Sequence, residues 1–256
     1  MKLKGIDVSL HQGVINWDTV KNAEKIDFAI LQAGYGRLSS QKDAQFERNY
    51  SECKRLGIQI GAYWYSYAVS AEEAKLEAAA CIEVLKGKKF EYPIYFDIEE
   101  NRQRLGMGKV TEICKAFCNA LEAAGYWVGI YSYKSFLETY IDKSVRTRYA
   151  VWLAHYASST TYKEPYGMWQ YSVTGGQNDI VGKGSVAGIN EACDLDYCYI
   201  DYPTAIKAAG KNGYTLEAPK PAEPEKPKLP KIDISIYDGK FSVLIDDHQY
   251  SGLLDD

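Results

Sequence analysis

The sequence predicts an α/β fold: a TIM-like barrel of eight strands, followed by a proline-rich linker and a small β-hairpin. Three observations carry that expectation. Strand and helix patterns alternate through five rounds, which implies parallel βαβ crossovers. Three further strand-like runs follow with almost no helix, and eight strands suit barrel closure better than an open sheet. No GxGxxG or Walker pattern follows a strand, which argues against a nucleotide-binding sheet. With 256 residues, 46% of them hydrophobic and 25% charged, the chain has room for one large domain and an appendage. Composition divides it into a barrel over 1–213, a Pro/Lys/Glu-rich linker over 214–231 and a tail over 232–256.

Residues 2–9 read as the first strand, which carries Asp7 near its end. His11-Gln12-Gly13 makes a loop, and Asn16 or Asp18 caps a short helix running to Ala23. Residues 28–34 form a second, buried strand. Over 43–56, Phe46, Tyr50, Cys53 and Leu56 fall at helical spacing, and Gly57 stops the helix. Residues 58–67 are the third strand. Ser70-Ala71-Glu72-Glu73 is a capping-box signature for a helix to Leu85. The fourth strand covers 92–100, a helix covers 109–124 and the fifth strand covers 126–133. A short helix at 135–140 follows. Strands at 149–156, 168–172 and 193–199 complete the eight, with a long glycine-rich loop over 174–190. A helix at 202–209 closes the unit.

The fourth strand, Tyr92-Pro93-Ile94-Tyr95-Phe96-Asp97-Ile98-Glu99-Glu100, is apolar enough to be covered on both faces. Asp97 and Glu99 interrupt it at i and i+2. On a strand both point to one side, with α-carbons about 6.5–7 Å apart. Two acids so close should titrate unequally, which is what an acid/base catalyst needs. In a barrel the active site lies at the carboxyl ends of the strands. Closure makes strand eight a neighbour of strand one, so Asp7 converges with Asp194 and Asp196 of the last strand.

A net charge of -4 without a Lys/Arg-rich run gives no reason to expect nucleic acid. Six cysteines form no CxxC pair and no Cys/His ligand set, which suits reduced thiols in a cytosolic chain. No metal or cofactor is expected. The amino terminus runs straight into a strand, so neither a signal peptide nor a membrane span is expected. Three histidines and no nucleophile elbow argue against a Ser-His-Asp hydrolase. Many of the 22 tyrosines and 5 tryptophans lie at strand ends, where aromatic faces receive sugar-like ligands, while most serve as core or surface filler. Tyr63, Tyr65, Tyr67, Tyr131, Tyr133 and Trp169 are the platform candidates, with Gln170 beside them. Trp64 projects to the other face as core, and His155 suits a hydrogen-bonded rim position.

In order, GIDVSxHQG, FAILQAGYG, GAYWYSYA, YFDIEE, GIYSY, WLAHY, MWQYS and CDLDY resemble the family 25 glycoside hydrolases. These are N-acetylmuramidases, or lysozymes, of phage endolysins and bacterial autolysins. The resemblance spans about residues 3–203 and implies a flattened barrel of five β/α units plus three strands. It implies cleavage of the β-1,4 bond between N-acetylmuramic acid and N-acetylglucosamine in peptidoglycan. Glu99 then matches the general acid, Asp97 the second acid of the DxE, and Asp7 the amino-terminal site aspartate. Asp194 matches the final aspartate, with Asp196 as the other assignment. Asp97 is badly placed to attack from the far side of the sugar. That favours orientation of the substrate's acetamido group, with inversion through water on Asp7 or Asp194 as the other route. A non-catalytic wall-binding barrel and a chitinase-like hydrolase are the alternatives. The expected partners are peptidoglycan strands, reached after synthesis in the cytosol by phage release or export.

The linker cannot build a core and suits an extended spacer on the order of 40 Å long. Beyond it, apolar and polar residues alternate over 232–237 and 240–245 around Asp238-Gly239, a hairpin signal. A lone hairpin is marginal in water, so the tail is expected to associate with another copy's tail or, as the less favoured alternative, to dock on the barrel.

Overall fold

A computed structural model of the chain describes residues 2–174, 184–216, 231–237, 240–246 and 248–253. The chain forms two compact units, 1–216 and 217–256.

The first unit is a closed eight-stranded barrel in sequence order: β1 (Leu3–Val8), β2 (Phe28–Tyr35), β3 (Gln59–Tyr65), β4 (Ile94–Asp97), β5 (Val128–Tyr133), β6 (Ala150–Ala154), β7 (Met168–Thr174) and β8 (Cys193–Cys198). The first seven strands run parallel to their neighbours. The eighth runs antiparallel to both β7 and β1. Its acids therefore reach the mouth from the amino end of their strand, unlike those of β1 and β4. The β1/β8 register sets Asp7 opposite Asp194 and Gly5 opposite Asp196. Asp196 thus lies one pleat deeper than Asp194.

Helices cover the connections among the first six strands: α1 (Trp17–Thr19), α2 (Phe46–Leu56), α3 (Ala71–Leu85), α4 (Met107–Ala123), α5 (Lys134–Tyr140) and α6 (Lys143–Arg148). The final helix, α7 (Tyr202–Ala208), follows β8. Asn16 caps α1 by accepting from Thr19 N–H, but α1 loosens after one turn into a π-type turn over Val20–Glu24. The expected start of α2 at Asp43 moves to Phe46, because the Asp43 carboxylate accepts from Leu10 N–H (2.7 Å) and Gln45 N–H (2.8 Å). It ties the loop after β1 to the helix entry. Ser70 caps α3 through Glu73 N–H, while the Glu73 carboxylate reaches Val69 N–H, one residue short of a closed capping box. Helix α6 is the element the pattern does not announce. In its Lys-Ser-Val-Arg-Thr-Arg only Val145 is buried, so it has no periodic apolar face.

An outer apolar layer joins the strands to the helices, as where Phe96 stacks on Phe117 (ring centroids 4.2 Å). Inside the barrel a second cluster fills the lower half with Phe28, Tyr92, Tyr95, Tyr131 and Trp152. Glycines on the inward face make room for these rings: a Cβ at Gly5 would lie 2.3 Å from Phe28, and one at Gly129 would lie 2.4 Å from Tyr95. The aromatic plug leaves the acids in the mouth above it. All six cysteines are buried free thiols, with Cys114 and Cys118 on one face of α4.

The second unit is a three-stranded antiparallel sheet, ordered β11-β10-β9. Strands β9 (Ile232–Tyr237) and β10 (Lys240–Ile245) are the expected hairpin, and β11 (His248–Leu253) adds a strand that its short polar sequence conceals. The expected linker, apart from its flanks at 214–216 and Lys231, lies outside the described residues, as does 175–183 of the glycine-rich loop.

Candidate active site

The apolar run of β4 ends at Asp97, so Glu99 sits two residues beyond the strand, on the turn that follows. The backbone there is pinned on both sides. Ser66 N–H donates to Asp97 O, Ile98 N–H donates to Tyr131 O, and Ser132 Oγ donates to Ile98 O. Gln103, fully buried, accepts from Glu100 N–H and donates through Nε2 to the Ser66 and Ala68 carbonyls. This buried amide fixes the turn that carries Glu99. The functional ends are left bare: neither the Asp97 nor the Glu99 carboxyl accepts a hydrogen bond from a described residue, and Asp97 Oδ1 is buried without a partner. Burial, then Glu99 and Glu100, pushes Asp97 well above the usual carboxylate range. Burial, then Glu100 and Asp194, pushes Glu99 up to about 7.

The facing edge is netted. Gln170 on β7 donates through Nε2 to Asp7 Oδ2 (2.8 Å), and its Oε1 accepts from Tyr131 OH (2.8 Å) and Tyr156 OH (3.2 Å). Tyr156 also reaches Asp194 Oδ1 at 3.2 Å. Trp152 Nε1–H donates to Asp196 Oδ1 at 2.8 Å. Burial pushes Asp194 up to about 6, against the pull of the Tyr156 hydrogen bond. Asp7 is raised further, first by burial and then by Asp194 and Asp196.

Tyr63, Tyr65, Tyr131 and Tyr133 stand at inward positions of β3 and β5, with Tyr67 just past the end of β3. Tyr65 donates to Glu100 Oε1 (2.9 Å) and meets Tyr67 edge-on, while Arg102 lies over the Tyr67 ring. Tyr133 OH accepts from Arg104. A cavity of about 510 Å³ opens beside Glu99, lined by Tyr131, Tyr133, Lys134, His155 and Tyr156. His155 sits at its rim with Nδ1 2.9 Å from Thr160 Oγ1. Trp64 is wholly buried and bonded to Gly36 O.

Trp169 does not join this group. It alternates with the inward Gln170, so its ring lies on the outer side of β7 against Tyr171 and Tyr197, and its Nε1–H donates to His155 O. Asp196 joins it only from beneath, fully buried. Tyr156, Trp152, Glu100 and Gln103 are site residues that the sequence reading passes over. The inward parity of Trp152, Ala154 and Tyr156 was the available signal for the tyrosine. A cleft of similar size, about 520 Å³, opens at the opposite end of the barrel, but Glu122, the one acid lining it, is paired with Arg148.

The family model for glycosyl hydrolases family 25 matches residues 6–180. Over 64 residues the chain is 42% identical to Lysozyme M1 of Streptomyces globisporus, a match covering 25% of this chain and 21% of that protein. The fold is similar to that of the modular autolysin LytC from Streptococcus pneumoniae, solved in complex with a synthetic peptidoglycan ligand. That likeness has TM-score 0.67 and 29% identity, covering 77% of this chain and 47% of LytC. It is also similar to a bacterial lysozyme from Streptomyces coelicolor (TM-score 0.66, 25% identity), over 81% of this chain and 96% of that one. The chain thus spans about a fifth of Lysozyme M1 and about half of LytC in these matches.

Proposed function

Because the chain belongs to glycosyl hydrolase family 25, we propose that it is a peptidoglycan hydrolase that cleaves between N-acetylmuramic acid and N-acetylglucosamine. The observation that carries this reading is the unequal pair after β4: Glu99 held near 7 beside an Asp97 whose Oδ1 has no partner. Glu99, protonated near neutrality, donates to the glycosidic oxygen as the bond breaks. Asp97 Oδ1 receives the N–H of the substrate's acetamido group. That donor lowers the proton affinity of Asp97, so the proton stays on Glu99. The oriented acetamido oxygen attacks the anomeric carbon and closes an oxazolinium ring; water, giving its proton to the Glu99 carboxylate, then opens that ring with configuration retained. Asp194, pushed only to about 6, is mostly ionised at neutral pH and stabilises the positive charge that develops. The tyrosines of β3 and β5 supply the sugar-stacking faces.

The partner is the glycan strand of the bacterial cell wall. No helix among the described residues is long and apolar enough to cross a membrane. Association between tails of two copies is the reading we attach to the second unit.

Turbidity of purified walls, analysis of new reducing ends, and a parallel chitin assay test the activity. Clearing with new muramic-acid reducing ends, absent with Glu99→Gln and absent on chitin, is the expected result. Wall binding without new reducing ends makes the protein a binding barrel, and chitin cleavage makes it chitinase-like.

A further inference from the structure

Asp196 is fully buried on β8. Its Oδ1 accepts from Trp152 Nε1–H, but its Oδ2 has no hydrogen-bond partner among the described residues. A bare carboxylate oxygen at that depth is costly. Asp7 faces it diagonally across the β1/β8 ladder, and the two carboxyl groups lie within hydrogen-bonding reach. Asp7 Oδ2 already accepts from Gln170, whose amide is turned that way because its oxygen takes Tyr131 and Tyr156. Ionised carboxylates offer only acceptors, so two of them can bond to each other only if one holds a proton.

Among the described residues nothing else balances the charge. Asp194 and Cys193 on β8, Tyr63 on β3, Tyr131 on β5 and Tyr156 after β6 all face Asp7. Asp97 and Glu99 stand across the mouth. No cation among the described residues acts on Asp97, Glu99, Asp194 or Asp196.

We propose that Asp196 is a positioning residue that keeps a proton on Asp7: Asp7 donates its O–H to Asp196 Oδ2, and Asp196 is itself held by the Trp152 indole. The mouth therefore carries one negative charge fewer, and Asp7 is fixed as a neutral acid between Gln170 and Asp196. Burial raises both carboxyls, Asp7 well above the usual carboxylate range and Asp196 up to about 8, so the pair resists carrying two charges. The catalytic consequence rests on the hydrolytic reading of this site; the shared proton does not, because it is read without substrate.

Carbon-13 NMR titration of the aspartate carboxyls in the full chain tests it. In Asp196→Asn the new amide Nδ2 donates to Asp7 while Oδ1 still accepts from Trp152. Asp7 then no longer needs its proton, and its titration drops by about 2 pH units or more. In Asp7→Asn the asparagine amide replaces the O–H, so Asp196 keeps its donor and titrates no higher than in wild type, while the highest aspartate titration is lost with Asp7. The second variant carries the test if the first does not fold. An Asp7 that keeps its high titration in Asp196→Asn, or a highest titration that survives in Asp7→Asn, overturns the proposal. Turnover of Asp196→Asn should fall about tenfold at pH 7 and recover towards pH 5, where Asp7 regains its proton. An equal loss at every pH, or no loss once Asp7 is ionised, overturns the positioning role. A wild type with no wall activity refutes the hydrolytic reading and leaves the titration result standing.

Discussion

The two edges of the barrel mouth carry the same kind of side chain in opposite conditions. On the β4 edge, Asp97 and Glu99 have their backbone pinned but no described residue donates to their carboxyls. On the β1/β8 edge, Asp7, Asp194 and Asp196 are held by Gln170, Tyr156 and Trp152. Buried polar groups are normally satisfied, so the unpartnered Asp97 Oδ1 beside Glu99 marks where a ligand completes the bonding, whereas Asp196 Oδ2, also unpartnered, lies beneath the mouth. On the proposed reading the β4 edge meets the reacting bond, and the facing edge holds its acids in place. Substitutions on the first should therefore remove activity with little loss of stability, while those on the second should cost both.

The largest effect is expected at Glu99. Glu99→Gln keeps the shape but cannot donate a proton, and wall lysis should fall by about 10²–10⁴-fold. Stability should move the other way. A carboxyl raised from 4.5 to about 7 favours the folded state less as pH climbs between those values. Thermal unfolding of Glu99→Gln should thus match wild type below pH 4 and exceed it above pH 7. Near-normal lysis by the folded variant would remove Glu99 from its role. The same value sets the wild-type pH profile, with activity falling as pH rises through about 7 and Glu99 loses its proton.

Asp97→Asn comes next. It leaves only a neutral amide oxygen to accept the acetamido N–H and removes the carboxylate charge, so turnover should fall about a hundredfold on acetylated glycan. Proton NMR of fresh wild-type product should show retained configuration. Inversion would reject acetamido participation while leaving both acids in the site.

On the netted edge, Tyr156→Phe removes the hydroxyl whose single proton is shared between Asp194 Oδ1 and Gln170 Oε1. A bond to a charged group contributes about 1.5 kcal/mol or more, so about a tenfold loss of turnover is expected, with a measurable fall in Tm. A loss of turnover without any change in Tm would erase the contrast between the two edges.

The sequence makes the β4 edge plain because an acid pair inside an apolar strand breaks a local pattern. The second edge is legible only through closure, which brings Asp7 to Asp194 across nearly the whole chain. What the sequence hides is depth and direction. Asp194 and Asp196 share a face, but β8 runs antiparallel, so the later residue is the deeper one, against the order that a parallel strand implies. Trp169 looks like a sugar platform by type, yet Gln170 turns inward and sends it outward. Tyr156 is the last residue of the expected strand over 149–156 but lies two residues past the observed end of β6. Helix α6 and strand β11 have too few apolar residues to show a period.

The smallest effect on chemistry is expected from the second unit. Ile232 pairs with Ile245, Ile234 with Val243, and Val243 with Tyr250, so one face of the sheet is apolar across all three strands. The opposite face carries Asp233, Ser235, Ser242, Gln249 and Ser251, with Leu244 its one large apolar residue among those described. Ile232, Ile234, Ile236 and Tyr250 are 53%, 67%, 65% and 57% exposed. An apolar face of that breadth on so small a sheet needs a cover, and β9 and β11 are open edges for pairing with another chain. Every acid assigned to the reaction precedes residue 217. A protein ending at Leu216 should therefore turn over soluble muropeptides within about twofold of the full chain, a change below about 0.5 kcal/mol in barrier. Its mass by light scattering, or its retention on purified walls, should fall. A drop in mass alone makes the sheet a contact between copies, whereas a drop in wall retention alone makes it an attachment device. If neither changes, the apolar face has no partner among copies or walls, and the tail is a passive extension of the enzyme.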